Sequence, residues 1–292
     1  MAGQQEYLTT KEVAALLRIR ERKVYDLAAS GAIPCSRALG KLLFPRREVE
    51  AWLQGEGGQF SAAPRMIRPS VVLGSHDPLL EWALLESRAD LATFLGGSHD
   101  GLDRFARGEG MAAGLHIHEA DGWNTETVRA RFAEGDCVLV QWAWRQRGLI
   151  LSEGVAEEVK SLADLRGRVF APRAAETGSQ TLFDTLRAEA GLPPDDLEQI
   201  APARSEADAV LAVVDGKADA AFGLNCLARR FRLAFVPLTN ERFDLLVSRR
   251  AWFEPPFQAL LAFCRRPEFA EKAAELGGYD VSGFGTVHFN SA

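Results

Sequence analysis

Apolar residues recur along this chain with two different periods, and the change falls near residue 69. In the first fifty residues Val13, Ala14, Leu16 and Leu17 follow a helical spacing, and Val24, Leu27 and Ala28 give a second helix an inner face. Thr9 or Thr10 can cap the first helix, with Glu12 close enough to support its first turn. A polar turn falls near Ile19-Arg20, and Gly31 suits the end of the second helix. The run Ala38 to Phe44 then reads as a small hairpin turning at Gly40-Lys41, and Pro45 opens a third helix whose Val49 and Trp52 close the core.

From residue 69 short β-branched runs alternate with helical segments. Ser70–Leu73, Leu91–Leu95 and Met111–Ile117 predict strands, with helices around Leu79–Leu85 and Gly101–Arg107 between them. Further on, Val169-Phe170 leads by a strand to Thr177-Gly178-Ser179 at a strand-to-helix turn. Ala209–Val214 reads as a helix, and Ala218–Gly223, Ala234–Leu238 and Phe243–Val247 read as strands. Such alternation predicts a mostly parallel sheet in two lobes. The tail, Phe253 to Phe269, is expected to form helices covering the second lobe. Between the two patterns, Gly55 to Pro64 is Gly-rich and polar, so 55–68 is expected to be a flexible linker.

Composition narrows the class without changing this division. At 292 residues, 47% hydrophobic and 25% charged, the chain has the make-up of an ordinary soluble protein of two or three domains. No apolar run approaches the roughly 20 residues of a membrane span. The opening MAGQQEYLTTKE has no basic stretch followed by an apolar one, so a cytoplasmic location is expected. Cys35, Cys137, Cys226 and Cys264 lie far apart and read as free thiols. Residues 1–60 hold nine Lys and Arg against seven Asp and Glu, a net of +2, whereas the rest holds 25 against 33, a net of −8. A slightly basic head on an acidic body allows a local DNA contact by one module.

Helix, turn, basic helix, hairpin and helix, in that order, match a winged helix-turn-helix. Thr10-Lys11-Glu12-Val13-Ala14 and the exit Gly31-Ala32-Ile33-Pro34 closely resemble the MerR/excisionase-type DNA-binding domain over about residues 7–54. The resemblance implies that the second helix enters the major groove of double-stranded DNA. Arg20, Arg22, Lys23 and Tyr25 would meet bases and phosphates there, with Thr10 beside them. Arg37 and Lys41 on the wing would hold the backbone. So small a module binds weakly alone, so a homodimer or higher homo-oligomer on a two-part site is expected.

The tetrapeptide Gly-Ser-His-Asp occurs twice, at 74–77 and 97–100. Each copy falls where a strand hands over to a helix, on the sheet edge where open α/β sheets bind ligands. Helix N-termini suit anions, and serine adds a hydroxyl donor without charge. The landmarks Gly74-Ser75-His76-Asp77, Gly97-Ser98, Gly114-Leu115-His116, Trp144 to Leu149, Arg173, Thr177-Gly178-Ser179, Gly216 to Ala220 and Phe243-Asp244-Leu245 carry a second resemblance. Residues 70–250 look like the type II periplasmic-binding-protein-like domain fused to some bacterial regulators and to certain molybdopterin-biosynthesis proteins. The expected architecture is a small helix-turn-helix domain over 1–54 and an α/β two-lobed domain over 69–292.

That resemblance implies a sensor of a tetrahedral oxyanion such as molybdate or tungstate, with no other cofactor. Ser75, Ser98, Thr177, Gly178 and Ser179 would line the site, with Arg145 and Arg173, and with His76, His99 and His116 in support. The family has a glycine and an arginine around its Ser/Thr-Gly-Ser/Thr triplet where Glu176 and Gln180 stand here. A carboxylate repels an anion and the absent arginine removes a partner. A small organic anion, as in LysR-type inducer domains, is the second reading. A carrier of molybdopterin or an insertion intermediate is the third. His76, His99, His116 and His118 crowd into 43 residues, yet none has the paired spacing of a zinc motif. The adjacent Ser75, His76 and Asp77 point in different directions on a turn, and no nucleophile elbow or phosphate loop is present, so no enzyme is expected.

Overall fold

The computed structural model describes residues 7–30, 32–38, 41–53 and 68–291. The chain divides into two compact units, Met1–Ile67 and Arg68–Ala292. The expected linker over 55–68 lies outside the described residues except for Arg68. That residue belongs to the second unit, where its Nη1 donates to the carbonyls of Phe105 at 2.6 Å and Gly110 at 3.0 Å.

The first unit comprises β1 (Tyr7–Thr9), α1 (Thr10–Leu17), α2 (Glu21–Ala29), β2 (Ser36–Ala38), β3 (Lys41–Pro45) and α3 (Arg46–Leu53). Thr9 caps α1, and a capping box closes because the Thr9 N–H donates to Glu12 Oε2 at 2.7 Å. Arg18 ends α1 in the left-handed region, φ 53°. Strand β3 pairs with both β1 and β2, so the hairpin gains a third strand that the apolar pattern did not announce. Pro45 closes β3 and does not open the third helix, because its backbone pairs with Tyr7. Leu8, Val13, Val24, Ile33, Phe44 and Val49 form the core. Gly31 and Gly40, expected at the helix end and the hairpin turn, lie outside the described residues.

In the second unit β4 (Val71–Gly74), α4 (Pro78–Ser87), β5 (Ala92–Phe94), α5 (Ser98–Ala106) and β6 (Ala112–Leu115) build the first lobe. The short strands β7 (His118–Glu119) and β8 (Gly122–Trp123) and helix α6 (Thr125–Phe132) lead into β9 (Cys137–Leu151). The second lobe holds β10 (Val169–Ala171), α7 (Gly178–Glu189), β11 (Glu198–Gln199), α8 (Glu206–Val214), β12 (Ala220–Leu224) and α9 (Asn225–Phe231). The return strand β13 (Ala234–Ser248) is followed by α10 (Pro255–Cys264), α11 (Pro267–Leu276), β14 (Tyr279–Asp280) and β15 (Val287–Asn290).

One sheet runs through both lobes in the order β11-β10-β12-β9-β13-β6-β4-β5. Strands β4, β5 and β6 are parallel to one another, as are β10, β11 and β12, whereas β9 and β13 pair antiparallel and cross between lobes. Ala234–Leu238 and Phe243–Val247, read from sequence as two strands, are therefore one. The polar stretch between them stays in the ladder because Thr239, Asn240, Glu241 and Arg242 pair in turn with Arg147, Gln146, Arg145 and Trp144 of β9, which satisfies backbone groups that a break would leave open. The tail is a second correction. Helices α10 and α11 cover the first lobe, where Phe257, Leu260, Leu261 and Phe269 pack with Leu79, Leu80 and Ala83 of α4. Strand β13 has already carried the chain back to that lobe.

Candidate functional site

The two Gly-Ser-His-Asp turns meet, but they are not built alike. In the first, Asp77 is the cap of α4, its Oδ1 accepting from Leu80 N–H at 2.7 Å, and the helix opens at Pro78, three residues after Ser75. In the second, Gly97 is the cap residue (φ 97°) and Ser98 begins α5, whose first turn has no side-chain cap. The Ser75 N–H donates to Gly114 O at 2.8 Å and Gly97 N–H to Gly74 O at 3.0 Å, which holds the first turn against β6 and the second turn against the first. The two hydroxyls lie 2.8 Å apart, buried, and Ser98 Oγ accepts from the His116 N–H at 3.1 Å. Gly101 packs on Gly74 so closely that a Cβ there would stand 2.8 Å from Gly74 N. That close approach brings the serines together.

The second lobe supplies the facing wall. Thr177 caps α7, accepting from Gln180 N–H at 3.3 Å, and Gly178 lies against the His116 ring. A Cβ on Gly178 would come within 3.2 Å of His116 Cε1, so the glycine lets helix and imidazole touch across the lobes. Ser179, buried on the first turn of α7, is engaged by charged partners: its hydroxyl accepts from Arg147 Nη2 at 2.8 Å and donates to Glu206 at 2.5 Å.

Between these walls lies a charged ladder on the crossing strands. Arg145 and Arg147 project from one face of β9, both almost fully buried. Arg145 donates to Asp77 Oδ2 at 3.0 Å and to Glu241 on β13. Arg147 donates to both Glu241 oxygens, at 3.0 and 3.1 Å, and to Glu206 on α8. His116 Nδ1 lies 3.2 Å from Glu241 Oε2. Asp77 also accepts from Trp142 Nε1 at 3.2 Å and the Tyr279 hydroxyl at 2.7 Å. Burial pushes the Glu241 and Glu206 carboxyls up, but the two guanidinium groups outweigh it. Glu241 is held well below the usual carboxylate range and Glu206 at about 2.

Of the residues expected from sequence to line the site, the fold gathers Ser75, Ser98, His116, Arg145, Thr177, Gly178 and Ser179. It leaves His76 and His99 outside, and Arg173 at the edge. His76 is exposed and pairs with Glu81 at 3.1 Å, and His99 is exposed on the first turn of α5. Arg173 is half-buried at the edge of the site, near Glu206 and Arg147, with its Nη1 donating to Ala203 O at 2.6 Å and its backbone N–H to Gln180 Oε1 at 2.8 Å. Gln180 thus ties the strand end to α7, while Glu176 is exposed. Trp144 faces away from the arginines, into an open groove of about 450 Å³ shared with Gln146, Asn240, Gly278, Tyr279 and Asp280.

Sequence reasoning missed Arg147, Glu206 and Glu241 and dismissed Asp77. The signal was the pair Arg145 and Arg147 at a spacing of two within an apolar strand. Two arginines on one face of a buried strand require carboxylates opposite them.

In the first unit Arg20, Arg22, Lys23 and Tyr25 are exposed around α2, away from buried Val24, and Thr10 is half-buried at the start of α1. The side chains of Arg37 and Lys41 lie outside the described residues.

Comparison with known proteins agrees with this two-part layout. Residues 83–265 match the model of the PBP superfamily domain, and residues 7–57 match that of a helix-turn-helix domain. The protein YvgK of Bacillus subtilis (strain 168) is 22% identical over 303 residues, a span that covers 96% of each chain. Among solved structures, Peb3 from Campylobacter jejuni is 13% identical with a TM-score of 0.49, covering 72% of this chain and 98% of its own. OxyR of Corynebacterium glutamicum is also 13% identical with a TM-score of 0.49, covering 92% of this chain and 89% of its own. Among the described residues no helix is long and apolar enough to cross a membrane.

Proposed function

This chain belongs to the PBP superfamily, and from that membership we propose a cytoplasmic, one-component transcription regulator whose two-lobed domain senses a small tetrahedral oxyanion of the molybdate and tungstate class. The observation that carries the ligand side is the buried Ser75–Ser98 hydroxyl pair, 2.8 Å apart beside the uncapped first turn of α5. Hydroxyls and backbone N–H groups hold a dianion by several charge-assisted bonds without placing a counter-charge on it. The reading gives the protein no catalytic step. A ligand that binds the closed lobes better than the open ones shifts the balance between two states, and a homodimer converts that shift into a changed spacing of its DNA-binding heads.

Stabilisation by ligand tests this directly. At a hundredfold excess over Kd, a ligand adds about 2.7 kcal/mol to folding stability. Molybdate or tungstate is expected to raise the melting temperature of the purified protein over sulfate, phosphate and small carboxylates at equal ionic strength. Ser75→Ala and Ser98→Ala should each abolish the difference. Stabilisation that survives both substitutions would place the ligand elsewhere, and a preference for carboxylates would favour the organic-anion reading.

The DNA side rests on α2. Charge reversal, Arg22→Glu or Lys23→Glu, is expected to weaken duplex binding by about 1–3 kcal/mol each, as for lost base or phosphate contacts. Fluorescence anisotropy with upstream DNA should also show a shallower salt dependence in the variants. Unchanged binding in both would point to a head used for protein contacts, as in a carrier of a molybdenum-cofactor intermediate.

A further inference from the structure

We propose that Glu241 determines the specificity of the interlobe site: it is an internal carboxylate that bridges the facing Nη groups of the two buried arginines and thereby excludes free organic acids. The inference deepens the oxyanion reading above and rests on the same site.

Arginine is the side chain best suited to a ligand carboxylate, because its planar fork matches the two oxygens. Two arginines side by side at the crossing strands would ordinarily favour an organic acid. Here that position is already filled from within the chain. Glu241 stands opposite Arg145 in the β9–β13 register and is fully buried. Its Oε1 accepts from Arg145 and from Arg147 at 3.0 Å, and its Oε2 accepts from Arg147 at 3.1 Å and faces His116 Nδ1 at 3.2 Å. Asp77 takes the other side of Arg145, and Glu206 with Ser179 takes the other side of Arg147. The Nε–H of each guanidinium has no partner among the described residues.

The consequence is electrostatic and entropic together. Asp77, Glu206 and Glu241 pair directly with Arg145 and Arg147, with His116 beside Glu241 and Arg173 near Glu206, so the Nη groups of the two buried arginines are already engaged by internal carboxylates. A free carboxylate would have to displace one that is tethered at the same place, and tethering raises the effective concentration of the internal group to about millimolar or more. A tetrahedral oxyanion held by the Ser75 and Ser98 hydroxyls and backbone N–H groups does not meet this competition. Glu241 therefore divides the two ligand classes: it removes the arginines from use and leaves the neutral donors.

Formate is the probe that reads whether the buried arginines accept a free carboxylate once Glu241 is removed. Wild-type protein should show the same melting temperature in formate as in chloride at equal ionic strength. Glu241→Ala should melt lower and recover in a saturable manner with formate or acetate, a response the wild type lacks, but not with the neutral formamide. Glu241→Ser empties the same space while keeping a short polar side chain on β13, so it provides a reading if Glu241→Ala does not fold. In it formate should stabilise where it does not in the wild type. A saturable formate response in either variant that the wild type lacks supports the assignment. No such response in either variant, or an equal one in the wild type, overturns it. The oxyanion panel on the wild type reads the serines and this titration reads the arginines, so each reading can fail while the other stands.

Discussion

Asp77→Ala is expected to destabilise the two-lobed domain by about 3–5 kcal/mol, the cost of leaving one partner of a buried ion pair without its counter-charge. Asp77 has no exposed side-chain surface and serves four donors: Leu80 N–H, Trp142 Nε1, Arg145 Nη1 and the Tyr279 hydroxyl. The alanine removes the cap of α4, worth about 1 kcal/mol by itself. It also leaves Arg145 buried with only Glu241 beside it. For a domain of this size the change corresponds to a fall in melting temperature of about 10 °C. Urea unfolding followed by tryptophan fluorescence measures the loss. The double variant Asp77→Ala with Arg145→Met should cost less than the two single changes added, because it removes the orphaned charge as well as its partner. A loss below about 1 kcal/mol, the level of an exposed pair, would mean that solvent reaches Arg145 and that the ladder is not buried in solution.

Gly101→Ala is the second large effect, and its sign opposes local propensity. Glycine inside a helix costs about 1 kcal/mol relative to alanine, so on an exposed face the substitution would stabilise. Gly101 is buried on α5 against the backbone of Gly74, where a Cβ would meet Gly74 Cα and stand 2.8 Å from Gly74 N. No side chain can rotate away to make room, so α5 must move off β4. Overpacking of this kind costs about 1–3 kcal/mol. The movement also separates Ser98 from Ser75, so the variant should lose the stabilisation by oxyanion as well as some stability. A Gly101→Ala protein that melts higher than the wild type and still responds to molybdate would show that the contact between the two turns is not what assembles the site.

Much of the architecture is legible in the residues alone. The helical spacing of Val13 to Leu17, the Thr9 and Glu12 pairing and the basic outer face of α2 depend on neighbours within a few positions, so they survive without knowledge of the fold. The same holds for the alternation of β-branched runs with helices, and for Thr177 as the cap of α7. Short-range rules act between residues close in sequence, and a reader of the sequence sees both partners.

The site is different because its partners are far apart in sequence. His76 and His99 carry the same tetrapeptide context as Ser75 and Ser98, yet both are exposed to solvent, since one turn caps with Asp77 and the other with Gly97. Glu241 looked like a polar break between two short strands, and only the continuous pairing of β13 with β9 places it opposite Arg145. Sequence by itself determined that a helix-turn-helix precedes a two-lobed α/β domain, and that Gly-Ser turns follow its strands. Tertiary structure decided which of those groups meet and which carboxylates the buried arginines take. Desolvation is the reason: a guanidinium removed from water takes whichever acids the crossing strands and helix ends bring within reach, and chain topology alone sets which those are.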